Sequence, residues 1–334
     1  MKFYIFILIS VLIILMVDCR ESTNPLKNVN HQNGYWEQVR ASQDENSYHA
    51  IFFSDATTGW VVGDSGRVLF SVDGGNTWMY HDLETDKALW NIQFVTPATG
   101  WIVGKNNTIL KTENGGKVWR KLSVKNNYTA TFLSLSFINE NSGWIADNMG
   151  NIFRTIDSGI SWIKQESDTQ WAITALQFIN EKDGWAITTN KIALFTTDGG
   201  ITWNQVPVPS ISDNISVVCN NIFFIDKDHG WICGMYAGSI MTESVPLYYT
   251  KSSGLKWETQ AIIPAYVVNS VYFINSDVGW AAAERKIFIS VDGGYTWQLQ
   301  HETETGILID IHFADATHGW ALDWNGNVYK YERK

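Results

Sequence analysis

Seven times along the chain a short, mostly apolar run breaks into a polar turn and resumes at Gly-Trp. The seven segments read FFSDATTGW, QFVTPATGW, SFINENSGW, QFINEKDGW, FFIDKDHGW, YFINSDVGW and HFADATHGW. Their tryptophans, Trp60, Trp101, Trp144, Trp185, Trp231, Trp280 and Trp320, are spaced by 41, 43, 41, 46, 49 and 40 residues. Apolar runs this short, rich in β-branched and aromatic residues and bounded by Gly, Asn and Asp, predict strands. A period of 40–50 residues that holds four of them predicts a β-propeller blade.

The first complete unit shows the plan. Strand A is predicted around His49 to Phe53, lining the centre, and strand B at Gly59 to Val62. A link at Gly63 to Gly66 leads to strand C at Arg67 to Ser71, and an octamer, SVDGGNTW, turns the chain into strand D at Thr77 to Tyr80. The octamer returns as TENGGKVW, TIDSGISW, TTDGGITW, TKSSGLKW and SVDGGYTW, ending at Trp119, Trp162, Trp203, Trp257 and Trp297. Glycine at its fifth place in every copy predicts a positive φ in a tight hairpin. Seven Gly-Trp segments against six octamers leave the last blade without an outer strand. GYWEQVR, Gly34 to Arg40, matches the strand-D segments, with Trp36 in the tryptophan place. The expectation is an all-β, seven-bladed propeller of four-stranded antiparallel blades, closed by the N-terminal strand completing the last blade. Fourteen of the 17 tryptophans then belong to the repeat, and Trp90, Trp171 and Trp324 do not.

Ser71/Asp73/Gly75/Trp78, Thr155/Asp157/Gly159/Trp162, Thr196/Asp198/Gly200/Trp203 and Ser290/Asp292/Gly294/Trp297 resemble the Asp-box, or BNR repeat, of sialidases, sortilin-type receptors and certain glucanases. Two copies depart from it, with Asn114 and Ser252 at the Asp place. The resemblance implies a carboxylate that caps a C–D hairpin away from any active site, and a short Asp side chain does readily accept turn N–H groups. The combined unit, apolar strand to Gly-Trp followed by an Asp-box, is similar to the photosystem II stability and assembly factor-like family over about residues 34 to 331. That likeness implies an extracytoplasmic seven-bladed propeller that binds protein. The arginine-rich patch of the photosynthetic members has no dense match here, so no photosynthetic role is carried over.

Composition changes the picture at the N-terminus and in the choice of partner. Lys2 precedes an apolar run from Phe3 to Val17, short for a span and suited to a secretory h-region. It ends at Cys19, which resembles a lipobox cysteine, although Asp18 stands where Gly, Ala or Ser is usual. Lipid anchor, plain secretion and uncleaved anchor all put the body outside the cytoplasm, in the periplasm or at the cell surface. The division is a signal segment 1–19 ending at Cys19, a linker 20–33 and a propeller 34–334, with membrane contact expected only through the anchor. The net charge is −10 and only seven arginines are present, without any Lys/Arg run, which disfavours nucleic acid. Cys219 and Cys233 are predicted on neighbouring strands of one hairpin, where a disulfide and two buried thiols are both open.

No H-E-x-x-H, Walker, G-x-S-x-G or dinucleotide motif occurs, so no catalytic residue, metal or cofactor is expected. A sialidase site needs three converging arginines, and seven scattered ones leave little to build it from. Propellers bind at the mouth made by B–C links and D–A connections, opposite the Asp-boxes. Tyr48, Trp90, Phe132, Trp171, Tyr266 and Trp324 are predicted there, either as a plug or as an aromatic ring for a sugar or peptide. Arg67 and Arg285 are the candidate cations of that rim. Blade five breaks the period with an insertion from Met235 to Leu247, which contains Tyr236, as a further candidate loop. The expected function is a non-enzymatic scaffold that binds a protein partner or assists assembly of an envelope complex. A glycan-binding protein or a divergent sialidase-like or glucanase-like hydrolase is the alternative.

Overall fold

The apolar runs before Gly-Trp form the innermost strands of seven four-stranded antiparallel sheets arranged in a ring. The computed structural model describes residues 33–40, 46–124, 128–210, 216–237 and 244–333. The apolar N-terminal run, Cys19, residues 20–32 of the linker and residues 238–243 of the insertion lie outside the described residues. In blade 1 the order from the axis outward is A (Tyr48–Phe53), B (Gly59–Gly63), C (Val68–Ser71) and D (Met79–His81). Strand D starts just after Trp78, slightly later than predicted, because the octamer spends its last residues on the turn. In blade 7 the strands Leu308–Phe313, Gly319–Asp323 and Val328–Arg333 are completed by Gly34–Arg40. Trp36 lies opposite Tyr331 in that pairing.

Packing follows from the position of each strand. Apart from the lengthened one of blade 5, B strands are buried along their whole length, since each is sandwiched between two neighbouring blades. Outer D strands leave their edge in water, with exposed Arg120 and Lys121 in blade 2, Asn204 and Gln205 in blade 4, and Met79 and Tyr80 in blade 1. Between blades, the Gly-Trp tryptophan lies flat on the phenylalanine that ends strand A of the next blade. Trp60 stacks on Phe94, Trp101 on Phe137 and Trp144 on Phe178, with centroids 3.6–3.7 Å apart. Trp320 of blade 7 closes the circle on Phe53 of blade 1 at 3.5 Å. The same phenylalanine meets the octamer tryptophan of its own blade edge-on, as Phe53 does Trp78 and Phe313 does Trp36, both at 5.9 Å. Stacked and edge-to-face geometries are those the aromatic quadrupole favours. The glycine before each tryptophan has a reason the sequence does not show. A Cβ at Gly59 would lie 2.4 Å from the Phe53 ring, and one at Gly143 would lie 2.2 Å from that of Phe137.

The octamer is a hairpin in which the serine or threonine and the aspartate hold one another. Ser71 Oγ accepts from the Gly75 N–H at 2.9 Å and donates to Asp73 at 2.9 Å. Asp73 in turn accepts the Thr77 N–H at 2.8 Å and the Thr77 hydroxyl at 2.6 Å. The Thr77 hydroxyl, with help from its N–H, holds this carboxyl below the usual carboxylate range. Gly75 has φ 87° and its five counterparts lie between 80° and 92°, as predicted. Hairpin carbonyls also accept the indole N–H of the preceding blade, Trp144 to Gly199 at 3.0 Å and Trp320 to Gly74 at 2.9 Å. Blade 7 has no hairpin, and there Gln300 accepts from both Trp280 and Trp36 at 2.9 Å. The octamer is therefore a joint between blades.

Cys219 and Cys233 are free and buried. Cys219 packs between blades 4 and 5 with Trp185 and Phe224, whereas Cys233 packs between blades 5 and 6 with Trp231 and Phe273. Thiols on opposite faces of one sheet cannot bond, so a disulfide is not formed. Burial pushes the Cys219 thiol up to about 12. The blade-five insertion is partly strand: Met235 to Ala237 continue strand B, and Val245 to Leu247 begin strand C. Strand A of that blade lengthens to Ser216–Phe224 to pair with it, so the blade stands taller at the mouth.

Candidate functional site

The A strands run from the mouth toward the Asp-box face, so their second residues look into the channel just below the rim. In blades 1 and 2 these are His49 and Trp90, stacked at 4.1 Å with 22° between planes. Trp324, on the B–C turn of blade 7, meets the same imidazole edge-on at 5.9 Å. His49 Nε2 lies 3.0 Å from Asp64, the first residue of the blade 1 B–C turn. The imidazole is nearly buried while the carboxylate remains exposed. The Trp90 indole N–H has no acceptor among the described residues. This constellation joins blades 7, 1 and 2.

A second feature lies across the mouth. Trp171, on the D–A connection into blade 4, is half-exposed beside a groove of about 590 Å³. Its walls are Asp168, Thr169, Gln170, Asn190, Ile192 and Gln205, so the indole shares the groove with amide and carboxylate groups. Tyr266 is exposed on the connection into blade 6, where its N–H donates to Glu284. Tyr236 is half-buried in strand B of blade 5, packed against the clusters on both sides.

Four of the candidate rim residues have their side chains engaged within the fold. Tyr48 and Phe132 are fully buried, because the first residue of strand A turns into the interface with the preceding blade. Arg67 lies over the Tyr80 ring at 5.5 Å, and Arg285 reaches Glu302 at 3.9 Å and the Glu304 carbonyl at 3.3 Å. Both cations sit beside strand C, third from the axis, and hold the outer strand of their own blade. Arg154 lies at the Asp-box end, over the Trp144 ring. No three arginines converge at the mouth among the described residues.

Below the rim the channel wall is polar in a way that the apolar character of the strands conceals. Innermost strands expose backbone donors and acceptors toward their neighbours, and side chains from the preceding blade satisfy them. Gln93 exchanges two hydrogen bonds with the Phe137 backbone at 2.7 and 3.0 Å, and Gln177 does the same with Phe224 at 2.7 and 2.8 Å. Ser134 and Ser136 accept from the Leu176 and Phe178 N–H groups at 2.9 Å. Asp310 accepts from the Ile51 and Ile311 N–H groups and the Ser270 hydroxyl, and burial raises its carboxyl to about 6. His312 donates to the Phe53 carbonyl, and burial lowers its imidazole to about 4. The sequence signal for this wall is the polar residue at every second place in strands otherwise apolar. His229 and His318 are turn residues bonded to Asp226 and Asp315. Among the described residues no group of three His, Cys, Asp or Glu could hold a metal ion.

Residues 76–171 match the family model described as photosynthesis system II assembly factor YCF48. The ring has the seven-bladed propeller fold that solved YCF48 structures share. A solved structure of YCF48 bound to D1 peptide matches with TM-score 0.73 and 19% identity, over 90% of this chain and 96% of that one. YCF48 from Cyanidioschyzon merolae matches with TM-score 0.71 and 23% identity, over 89% and 99%. Virginiamycin B lyase from Staphylococcus aureus matches with TM-score 0.73 and 13% identity, over 90% and 100%. These identities make the likeness one of fold, and the same ring carries a peptide-bound protein and a lyase. No curated protein matches the chain in sequence.

Proposed function

We propose that this chain is an extracytoplasmic, non-enzymatic propeller that holds a segment of a partner protein across its mouth and so assists assembly of an envelope complex. The observation that carries the reading is the exposed indole of Trp324 set edge-on to His49, with Trp90 beneath and Asp64 alongside. Aromatic anchors beside a few polar groups are what interface centres are made of. The peptide bound to YCF48 in its solved structure supports the same use of the ring. The −10 charge and the free edge of Asp64 favour a segment with basic side chains, which cation–π contact with Trp324 would hold.

The test is affinity capture from membranes with the wild-type chain and with a triple variant, Trp90→Ala, Trp171→Ala, Trp324→Ala. The reading expects a partner with the wild type and its loss with a variant whose thermal unfolding remains cooperative. Capture that returns no partner, together with binding on a glycan array, would overturn it. The glycan reading has its own observation, the exposed Trp171 lining the amide-bearing groove, so Trp171→Ala alone separates the two. It abolishes glycan binding, while capture of a protein held by Trp324 survives.

A further inference from the structure

The Asp-box face carries a feature the repeat does not require. At the sixth place of the octamer, the outermost point of each hairpin, blades 1 and 2 have Asn76 and Lys117. Blades 3, 4, 5 and 6 have Ile160, Ile201, Leu255 and Tyr295. These four are 61–71% exposed. The neighbouring Asp157, Asp198 and Asp292 are folded back onto their turns, bonded to the residue after the tip at 2.8 to 3.0 Å. What the tips present outward is therefore apolar. The arc continues into blade 7, where no hairpin exists and exposed Tyr35 begins the closing strand.

The chain enters the ring on this same face. The closing strand is a D strand, and D strands run from the Asp-box side to the mouth. Gly34 pairs with Arg333, at the lower end of strand C. Sixteen residues separate Gly34 from Val17, the end of the apolar N-terminal run. Fully extended they reach at most about 55 Å. Such a tether keeps the body near a membrane, and the apolar arc then decides which face turns toward it.

We propose that the tips Ile160, Ile201, Leu255 and Tyr295, with Tyr35, dock on the lipid surface to which the chain is anchored, so that the mouth points away from the membrane. Isoleucine and leucine enter the acyl boundary, while the two tyrosines suit the headgroup level. The proposal rests on the anchor expected from Phe3 to Val17 or Cys19, and it is independent of what the mouth binds.

The test uses the full chain reconstituted in phosphatidylcholine/phosphatidylglycerol vesicles, with flotation to report anchoring and hydrogen exchange to report the face. Hairpins of blades 1 and 2 serve as internal controls, having the same fold with Asn76 and Lys117 at the tip and an exposed valine, Val72 or Val118, only beside it. The expected result is exchange at least threefold slower in residues 158–162, 199–203, 253–257 and 293–297 than in 74–78 and 115–119. In the variant Ile160→Ser, Ile201→Ser, Leu255→Ser, Tyr295→Ser that difference disappears while the chain still floats. A chain that does not float refutes the anchor on which the proposal rests. A chain that floats while all six hairpins exchange alike, or while the mouth is protected instead, refutes the face.

Discussion

If the ring is held together by flat indole–phenyl contacts between blades, the pair Trp101 and Phe137 should show it in a double-mutant cycle. The rings lie 3.7 Å apart with 7° between planes, and both are buried. Replacing either by leucine keeps an apolar side chain of moderate size, so each single change should cost roughly 1–3 kcal/mol, below the 3–5 of a full truncation. Trp101→Leu also removes a weak indole bond to the Ser158 carbonyl at 3.3 Å, worth about 0.5–1 kcal/mol. The ring pair itself should add about 0.5–1.5 kcal/mol beyond area. The double variant should therefore be less destabilised than the sum of the singles by that amount. Urea unfolding followed by circular dichroism measures it, with Trp101→Leu plus Phe313→Leu, on blades that do not touch, as the additive control. Additivity within ~0.3 kcal/mol at Trp101/Phe137 would refute the claim that stacking, and not bulk burial, joins the blades.

Three further outcomes follow from the same geometry. Trp36→Ala, which empties the place beside Phe313 and Tyr331 and removes a donor to Gln300, should cost about 3–5 kcal/mol by thermal or urea unfolding. Ser252→Asp should place a carboxylate where the blade 5 octamer lacks one and accept the Lys256 N–H, raising stability by ~1 kcal/mol in the same assay. His312, lowered to about 4, makes the fold lose stability as pH falls from 6.5 toward 4, since the unfolded chain takes the proton first. Asp310, raised to about 6, does the reverse: its protonated form favours the fold below pH 6, and that contribution is lost as pH rises from 3.8 to 6. In the wild type the two slopes oppose one another. Asp310→Asn should unmask a steep loss between pH 6.5 and 4, and His312→Gln should make stability rise over pH 6 to 4.

Blade count, strand order and the closing strand are legible in the sequence because the Gly-Trp and octamer tryptophans sit at fixed places in each period. The function of the octamer is legible for a related reason: Ser71, Asp73 and Thr77 are local in sequence and satisfy one another within a single turn. The mouth is harder. Tyr48 and Phe132 stand one residue before the channel-facing position, and alternation in a strand sends neighbours to opposite sides. His49 belongs to a strand that looks apolar, yet it is the residue that gathers Trp90, Trp324 and Asp64. Arg67 and Arg285 can be assigned to strand C but not to a distance from the axis. Gln93, Gln177, Asp310 and His312 answer backbone groups on a different blade, and no pattern within one repeat reveals such a partner.

The strand that completes blade 7 is the first of the ring to be synthesised. Its tryptophan bonds to a glutamine 264 residues away, and its hydrogen-bonding partner ends at Arg333. During vectorial synthesis Gly34–Arg40 must wait unpaired until almost the whole chain has emerged. The six intact blades can assemble from local contacts, but the circle closes through a pairing that spans the whole ring, the slow kind. Until then both the waiting strand and the outer edge of Val328–Arg333 are open to pairing with another copy. Ring closure is thus the step at which a slow or crowded fold would exchange strands between chains.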